Sequence, residues 1–264
     1  MSKAARLALL IAPGVDASEA SRLVTRLNLP LLDAATDPAT CLDYDALLVA
    51  SADGLSLQRT GRAAPGPVSV DFGSARMRHR RGAGHNELLG RAVGVGKKPV
   101  LRVLDATAGL GRDSFVLADL GCQVLMSERV PLVSALLRSG LERARSSGDP
   151  WLQEVSGRMS LWEGEARDLP ANRLSDIDVV YLDPMFPELG KSAAVKKEMA
   201  LFQSLLEGSG RDADQLLLWA LDLGVARVVV KRPPRAGNLA GRQPSHAITG
   251  KSVRYDVYVK RKLA

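Results

Sequence analysis

The chain has 264 residues, 25% of them charged and 46% hydrophobic, which is enough for one large domain or one domain with a small appendage. This balance excludes collagen-like, coiled-coil and disordered chains, and apolar stretches such as Leu7 to Ala12 are too short to cross a bilayer or form a signal-peptide core. The net charge is +7 with a pI near 9.6, and it is uneven: residues 1–71 sum to −2, residues 72–98 to +6, residues 99–190 to −5 and residues 191–264 to +8. Two basic segments flanking an acidic middle, one of them containing Arg76, Arg78, His79, Arg80 and Arg81, make nucleic acid the leading partner class. Cys41 and Cys122 form no CxxC pair, and His79, His85 and His246 lack HExxH spacing. The expectation is a soluble cytoplasmic protein with no membrane and no metal.

The first 95 residues read as a small α+β domain that ends in the basic, RNA-facing segment. Leu7 to Ile11 suggests a strand, and Asp16 to Leu27 a helix with Asp16 near its N-cap. Ala46–Ala50 and Leu55–Gln58, joined by Ser51-Ala52-Asp53-Gly54, read as a hairpin. Val68 to Phe72 is a further strand candidate, and Asn86 to Val93 looks helical. The break at Gly94 to Lys98 places the domain boundary near residue 95.

Residues 96–264 alternate strand, glycine turn and helix. The expected strands are Val100–Leu104, Gln123–Ser127, Met159–Trp162, Ile177–Leu182 and Ala226–Val230; the helices are Leu110–Leu120, Val130–Arg145, Ser192–Leu206 and Asp212–Leu223. Ser252 to Val259 resembles an antiparallel closing strand. The pattern predicts an α/β, Rossmann-like, mostly parallel sheet with an antiparallel C-terminal strand.

Three features in this second domain carry chemistry. Asp105-Ala-Thr-Ala-Gly109-Leu-Gly111-Arg112-Asp113 places two glycines at a strand-to-helix turn, where backbone can approach a ligand beside a helix N-terminus. Glu128 follows Asp105 by 23 residues at the tip of the next strand, where an acid can accept hydrogen bonds from ribose hydroxyls. These two features suit a dinucleotide as well as S-adenosylmethionine. At the end of the apolar run 177–182 stands Asp183-Pro184-Met185-Phe186-Pro187. A carboxylate, a proline carbonyl and an aromatic ring on a rigid turn suit an amino group on a planar base, which separates an amine methyltransferase from an NAD-dependent dehydrogenase. A non-catalytic RNA-binding module would explain only the charge.

Here the sequence resembles a known family. Asp183-Pro-Met-Phe-Pro is similar to the Asp-Pro-Pro-Tyr-type motifs of class I amine methyltransferases, in the variant of the bacterial ribosomal RNA small subunit methyltransferase J family. Val70-Asp-Phe with His79-Arg80-Arg81, Asp105 to Phe115, and Val229-Val-Lys231-Arg-Pro with Thr249-Gly-Lys251-Ser resemble further motifs of that family in the same order, over about residues 68–260. Its glycine-rich stretch stands here as Gly82-Ala-Gly84-His85-Asn86.

The resemblance implies methyl transfer from S-adenosylmethionine to the N2 amine of a guanosine in 16S rRNA, position 1516 in the family's RNA numbering. The RNA would be met free or as small ribosomal subunit; the alternative is an amino-methyltransferase acting on DNA or another RNA. Carried over by motif, cofactor contacts fall on Asp105, Gly109, Gly111, Arg112, Asp113, Glu128, Arg129, Glu165, Ala166 and Asp183. Catalysis falls on Asp183, Pro184 and Phe186. RNA contacts fall on the basic run 76–81, on Lys231, Arg232 and Arg235, and on Lys251.

Overall fold

The computed structural model describes residues 5–82, 85–184 and 212–263, the side chains of residues 17, 19, 81, 82 and 85–87 excepted. The expected helix Ser192–Leu206, and Met185, Phe186 and Pro187 of the turn, lie outside the described residues. Contacts divide the described chain into two compact units, one of residues 5–71 with 135–143, the other of 72–134, 144–184 and 212–263.

The first unit contains β1 (Leu7–Ile11), α1 (Ala17–Leu27), β2 (Leu31–Leu32), β3 (Ala46–Ser51) and β4 (Gly54–Arg59), in a sheet of order β2-β1-β3-β4. Asp16 caps α1 by accepting the Ser18 N–H at 2.9 Å. The β3–β4 hairpin pairs Ala46 with Arg59 through Ser51 with Gly54. Val68–Phe72 departs from expectation. Only Val68 pairs, with Leu57; Pro67 removes the next donor on one side, and on the other the Val70 carbonyl accepts from Arg143 at 2.8 Å.

The second unit begins with α2 (Ala75–Gly82) and α3 (His85–Val93). The basic run is therefore helical, which its sequence hid: between Ala75 and Gly82 only Met77 is a large apolar residue, so no helical period can show. Next come β5 (Arg102–Asp105), α4 (Arg112–Asp119), β6 (Gln123–Glu128), α5 (Pro131–Arg145, of which 135–143 belong to the first unit), α6 (Pro150–Gly157) and β7 (Met159–Glu163). Then follow a 3₁₀ turn at Ala166–Asp168, α7 (Ala171–Leu174), β8 (Val179–Leu182), α8 (Ala213–Asp222), β9 (Arg227–Arg232), β10 (His246–Thr249) and β11 (Arg254–Val259). Of these, α6, α7 and β10 were not expected. The strand β10 is short and mostly exposed, which leaves no apolar run to read.

The seven-stranded sheet has order β10-β11-β9-β8-β5-β6-β7. All its neighbouring pairs are parallel except those of β11, which runs against both β9 and β10. All four residues of β8 are buried, as a strand covered on both faces requires. Leu104, Val180, Leu182, Val228 and Val230 join Leu216, Leu217 and Ala220 of α8 in one core cluster. Because strand side chains alternate, Tyr181, Val229 and Lys231 point to the opposite face. The chain leaves β5 towards β6 on one side and later towards β8 on the other. Ligand crevices in open α/β sheets lie at such a switch point, outside the carboxyl ends of the strands. No helix among the described residues is long and apolar enough to cross a membrane.

Candidate active site

At the switch point the chain turns sharply after β5. Gly109 and Gly111 take φ of +54° and +70°, a left-handed backbone that a side chain would strain. A Cβ on Gly109 would meet nothing within 4 Å, so the turn opens onto free space. Asp105 lies beneath it, 2% exposed, accepting the Thr107 N–H at 3.1 Å and the Ser114 hydroxyl. Burial, with help from the nearby carboxylates of Asp113 and Asp183, pushes the Asp105 carboxyl up to about 7. Its work is to tie the turn to α4.

Glu128 closes the other side. Its two oxygens accept the N–H groups of Gly109 at 2.9 Å and Val130 at 2.8 Å, which fixes its orientation at the tip of β6. Burial pushes this carboxyl upward while the two N–H groups hold it down. A carboxylate has about four acceptor sites, so two bonds to the backbone leave capacity for ribose hydroxyls. An open glycine turn facing a fixed acid fits S-adenosylmethionine. Replacing Glu128 with alanine should weaken S-adenosylmethionine binding by about 1–3 kcal/mol, measured by calorimetry. Unchanged affinity would confine Glu128 to holding the turn.

Beyond β7, Glu165 caps the 3₁₀ turn by accepting the Ala166 N–H at 3.2 Å, and Ala166 is buried. Arg129 reaches Glu165 at 3.1 Å and Asp212 at 3.4 Å, and Arg167 joins both acids. The expected group Glu128, Arg129, Glu165 and Ala166 therefore converges on the ends of β6 and β7. Arg112 opens α4 and is partly exposed.

Asp183 follows β8 directly. Its backbone N–H donates to Thr107 Oγ1 at 2.7 Å, and its Oδ2 accepts from Lys231 Nζ at 2.6 Å. The register of β8 on β9, Tyr181 against Val229 and Leu182 against Val230, carries Lys231 into place beside Asp183. Lys231 also donates to Asp113 Oδ2 at 2.8 Å, which further accepts the Tyr181 hydroxyl at 2.6 Å; the Arg80 guanidinium pairs with Asp113 Oδ1. Burial alone would raise the Asp113 carboxyl, but Lys231 and Arg80 overcome it and hold the group well below the usual carboxylate range. The same pairing keeps Lys231 charged against its own burial. The Asp113 side chain keeps 9% of its surface and that of Asp183 37%, so one carboxylate is structural and the other reachable.

Several of the expected residues have partners within the protein. Asp113 is spent on this buried cluster, and Arg80 and Lys231, expected on the RNA, are its cations. Arg232 is buried and donates to the Gly237 carbonyl at 2.6 Å. Arg78 lies 5.1 Å from the Trp151 ring centre and pairs with Asp149 at 2.5 Å. Arg76, His79, Arg235 and Lys251 are exposed, and Pro184 is buried. Thr107 and Tyr181 carried no signal as site residues; Thr107 stands inside the glycine turn motif, where only the strand order reveals that it reaches Asp183.

Comparison with known proteins gives the same picture. A family model described as SAM-dependent methyltransferase matches residues 35–260. A ribosomal RNA small subunit methyltransferase J from Marinobacter nauticus is 46% identical over 97% of this chain and 92% of its own length. Its namesake from Pseudomonas aeruginosa strain LESB58 is 48% identical over 94% and 92%. The crystal structure of a SAM-dependent methyltransferase from Neisseria gonorrhoeae superposes with a TM-score of 0.73 at 36% identity over 97% of both chains. With sheet order, glycine turn and near end-to-end similarity in agreement, the chain belongs to the ribosomal RNA small subunit methyltransferase J family of S-adenosylmethionine-dependent enzymes.

Proposed function

We propose that this chain methylates the exocyclic N2 amine of a guanosine in 16S rRNA, acting in the cytoplasm on free RNA or on the small ribosomal subunit. The observation that carries the reading is Asp183: a reachable carboxylate at the switch point, fixed through its main chain by Thr107 and through its side chain by Lys231. When bound, S-adenosylmethionine supplies an electrophilic methyl group on a sulfonium. The amine's lone pair is delocalised into the purine and attacks only when positioned and made pyramidal. Asp183 and the Pro184 carbonyl, accepting the two amine hydrogens, favour that geometry as it develops in the transition state. No strong base is needed beforehand, since the proton turns acidic only as the new bond forms and the methyl–sulfur bond breaks; it then passes to the Asp183 carboxylate and on to solvent. The base must leave its stack to arrive here, and Phe186 is proposed to replace the lost stacking.

Phosphates are held by the cations that remain at the surface, namely Arg76, His79, Arg235 and Lys251. Replacing Arg76, Arg235 and Lys251 together with alanine should lower the log-log salt slope of RNA binding by up to roughly 0.7–0.9 per lost contact, with the methyl-transfer rate at saturating RNA retained. An untouched slope would place the RNA on another face. The reaction is tested with tritiated S-adenosylmethionine and 16S rRNA from cells that lack this enzyme, followed by nucleoside mass spectrometry. Label in N2-methylguanosine supports the reading; label in methyladenosine, or in DNA offered alongside, overturns it in favour of another amine.

A further inference from the structure

We propose that Lys231 is a positioning residue for methyl transfer, holding the Asp183 carboxylate in place from a buried anchor on Asp113; this rests on the reading of Asp183 as acceptor for the target amine. Asp183 stands one residue past the end of β8 with 37% of its side chain exposed, where a carboxylate on a two-bond stem left unrestrained would sample several rotamers. Catalysis by an acceptor requires one geometry held before the reaction starts, and a loose carboxylate loses that advantage.

The geometry supplies the restraint. Lys231 Nζ sits 2.6 Å from Asp183 Oδ2 and 2.8 Å from Asp113 Oδ2, so a single ammonium bridges the partly exposed carboxylate to a buried one. Asp113 is itself immobile, being on α4 and bonded to Tyr181 of β8 and Arg80 of α2. Three elements therefore fix the anchor, and Lys231 carries that fixity to the rim. An ammonium suits this task because its donors can aim at two oxygens in different directions, whereas a guanidinium presents a flat fork. The arrangement also separates Lys231 from phosphate binding: its ammonium is committed to two carboxylates, and most of its surface is covered.

The test is a double-mutant cycle between Lys231→Met and Asp183→Asn, read as single-turnover rate at saturating cofactor and RNA. Calorimetric S-adenosylmethionine affinity, the salt slope of RNA binding and the urea midpoint are measured in parallel. Alone, Lys231→Met should slow the saturating rate by about tenfold or more, with cofactor affinity and salt slope within about twofold and 0.3 of the parent. In the Asp183→Asn background the same change should cost less than about twofold, because Lys231 acts through the carboxylate already removed. Equal losses in the two backgrounds, or a salt slope lower by about 0.7, would overturn the assignment and return Lys231 to general stability or to the RNA. If Asp183→Asn alone leaves the rate unchanged, the reading of Asp183 fails instead, which is a distinct outcome. Should Lys231→Met not fold, Lys231→Met/Asp113→Asn, which removes a buried charge of each sign, takes its place in the cycle.

Discussion

Replacing Asp183 with alanine should lower single-turnover methyl transfer at least about a hundredfold, the scale of one preorganised transition-state contact. Asparagine at the same position should cost less, because its carbonyl still accepts one amine hydrogen while the charge is lost. The two substitutions separate acceptance from charge, and cofactor affinity must be measured beside them, since the family resemblance also implies a cofactor contact for Asp183. If both variants bind cofactor and RNA and transfer methyl at the parent rate, Asp183 does no more than lead the chain out of β8.

The second large effect belongs to stability. Removing the Asp113 carboxylate by Asp113→Ala leaves Lys231 and Arg80 as buried cations short of their shared partner, and should cost about 3–5 kcal/mol by urea unfolding at pH 7. The sign of its pH dependence follows from the depressed native pKa. Stability from Asp113 is fully present above its unfolded value of about 3.9 and is lost as pH falls from there towards the native value. The gap between the parent and Asp113→Asn should therefore shrink between pH 5 and pH 3. A gap that widened towards acid would mean that Asp113 is not ionised in the native cluster.

Much of the fold was legible because its signals are local. The run 179–182 is continuously apolar because β8 is buried on both faces, the two glycines mark a turn that only glycine adopts without strain, and Glu128 stands where the second strand must end. Asp183 was legible for the same reason, as the first polar residue after a strand followed by prolines. The buried charge cluster was not. Lys231 and Asp113 are 118 positions apart, and nothing but the β8–β9 register and the seat of α4 brings them together. A lysine in a basic motif reads as a phosphate contact until its partners are seen, and the same holds for Arg80. The helix α2 was invisible for a different reason, since its residues satisfy their cations by pairing and by solvent, leaving no apolar stripe.

The reversed strand β11 has a bearing on how this protein can change over evolutionary time. Because β10 runs parallel to β9 and β11 returns against both, the turn carrying Lys251 emerges at the same edge of the sheet as Arg235 and Asp183. That edge is built in two tiers: loops after β9 and β10 that bear exposed cations, and beneath them the charge cluster of Lys231 on β9, Asp113 on α4 and Arg80 on α2. On the proposed reading, substitutions in the upper tier alter which RNA surface is gripped while the bonds that hold Asp183 stay in place. A lineage can then shift its target one loop at a time, with the chemistry inherited intact.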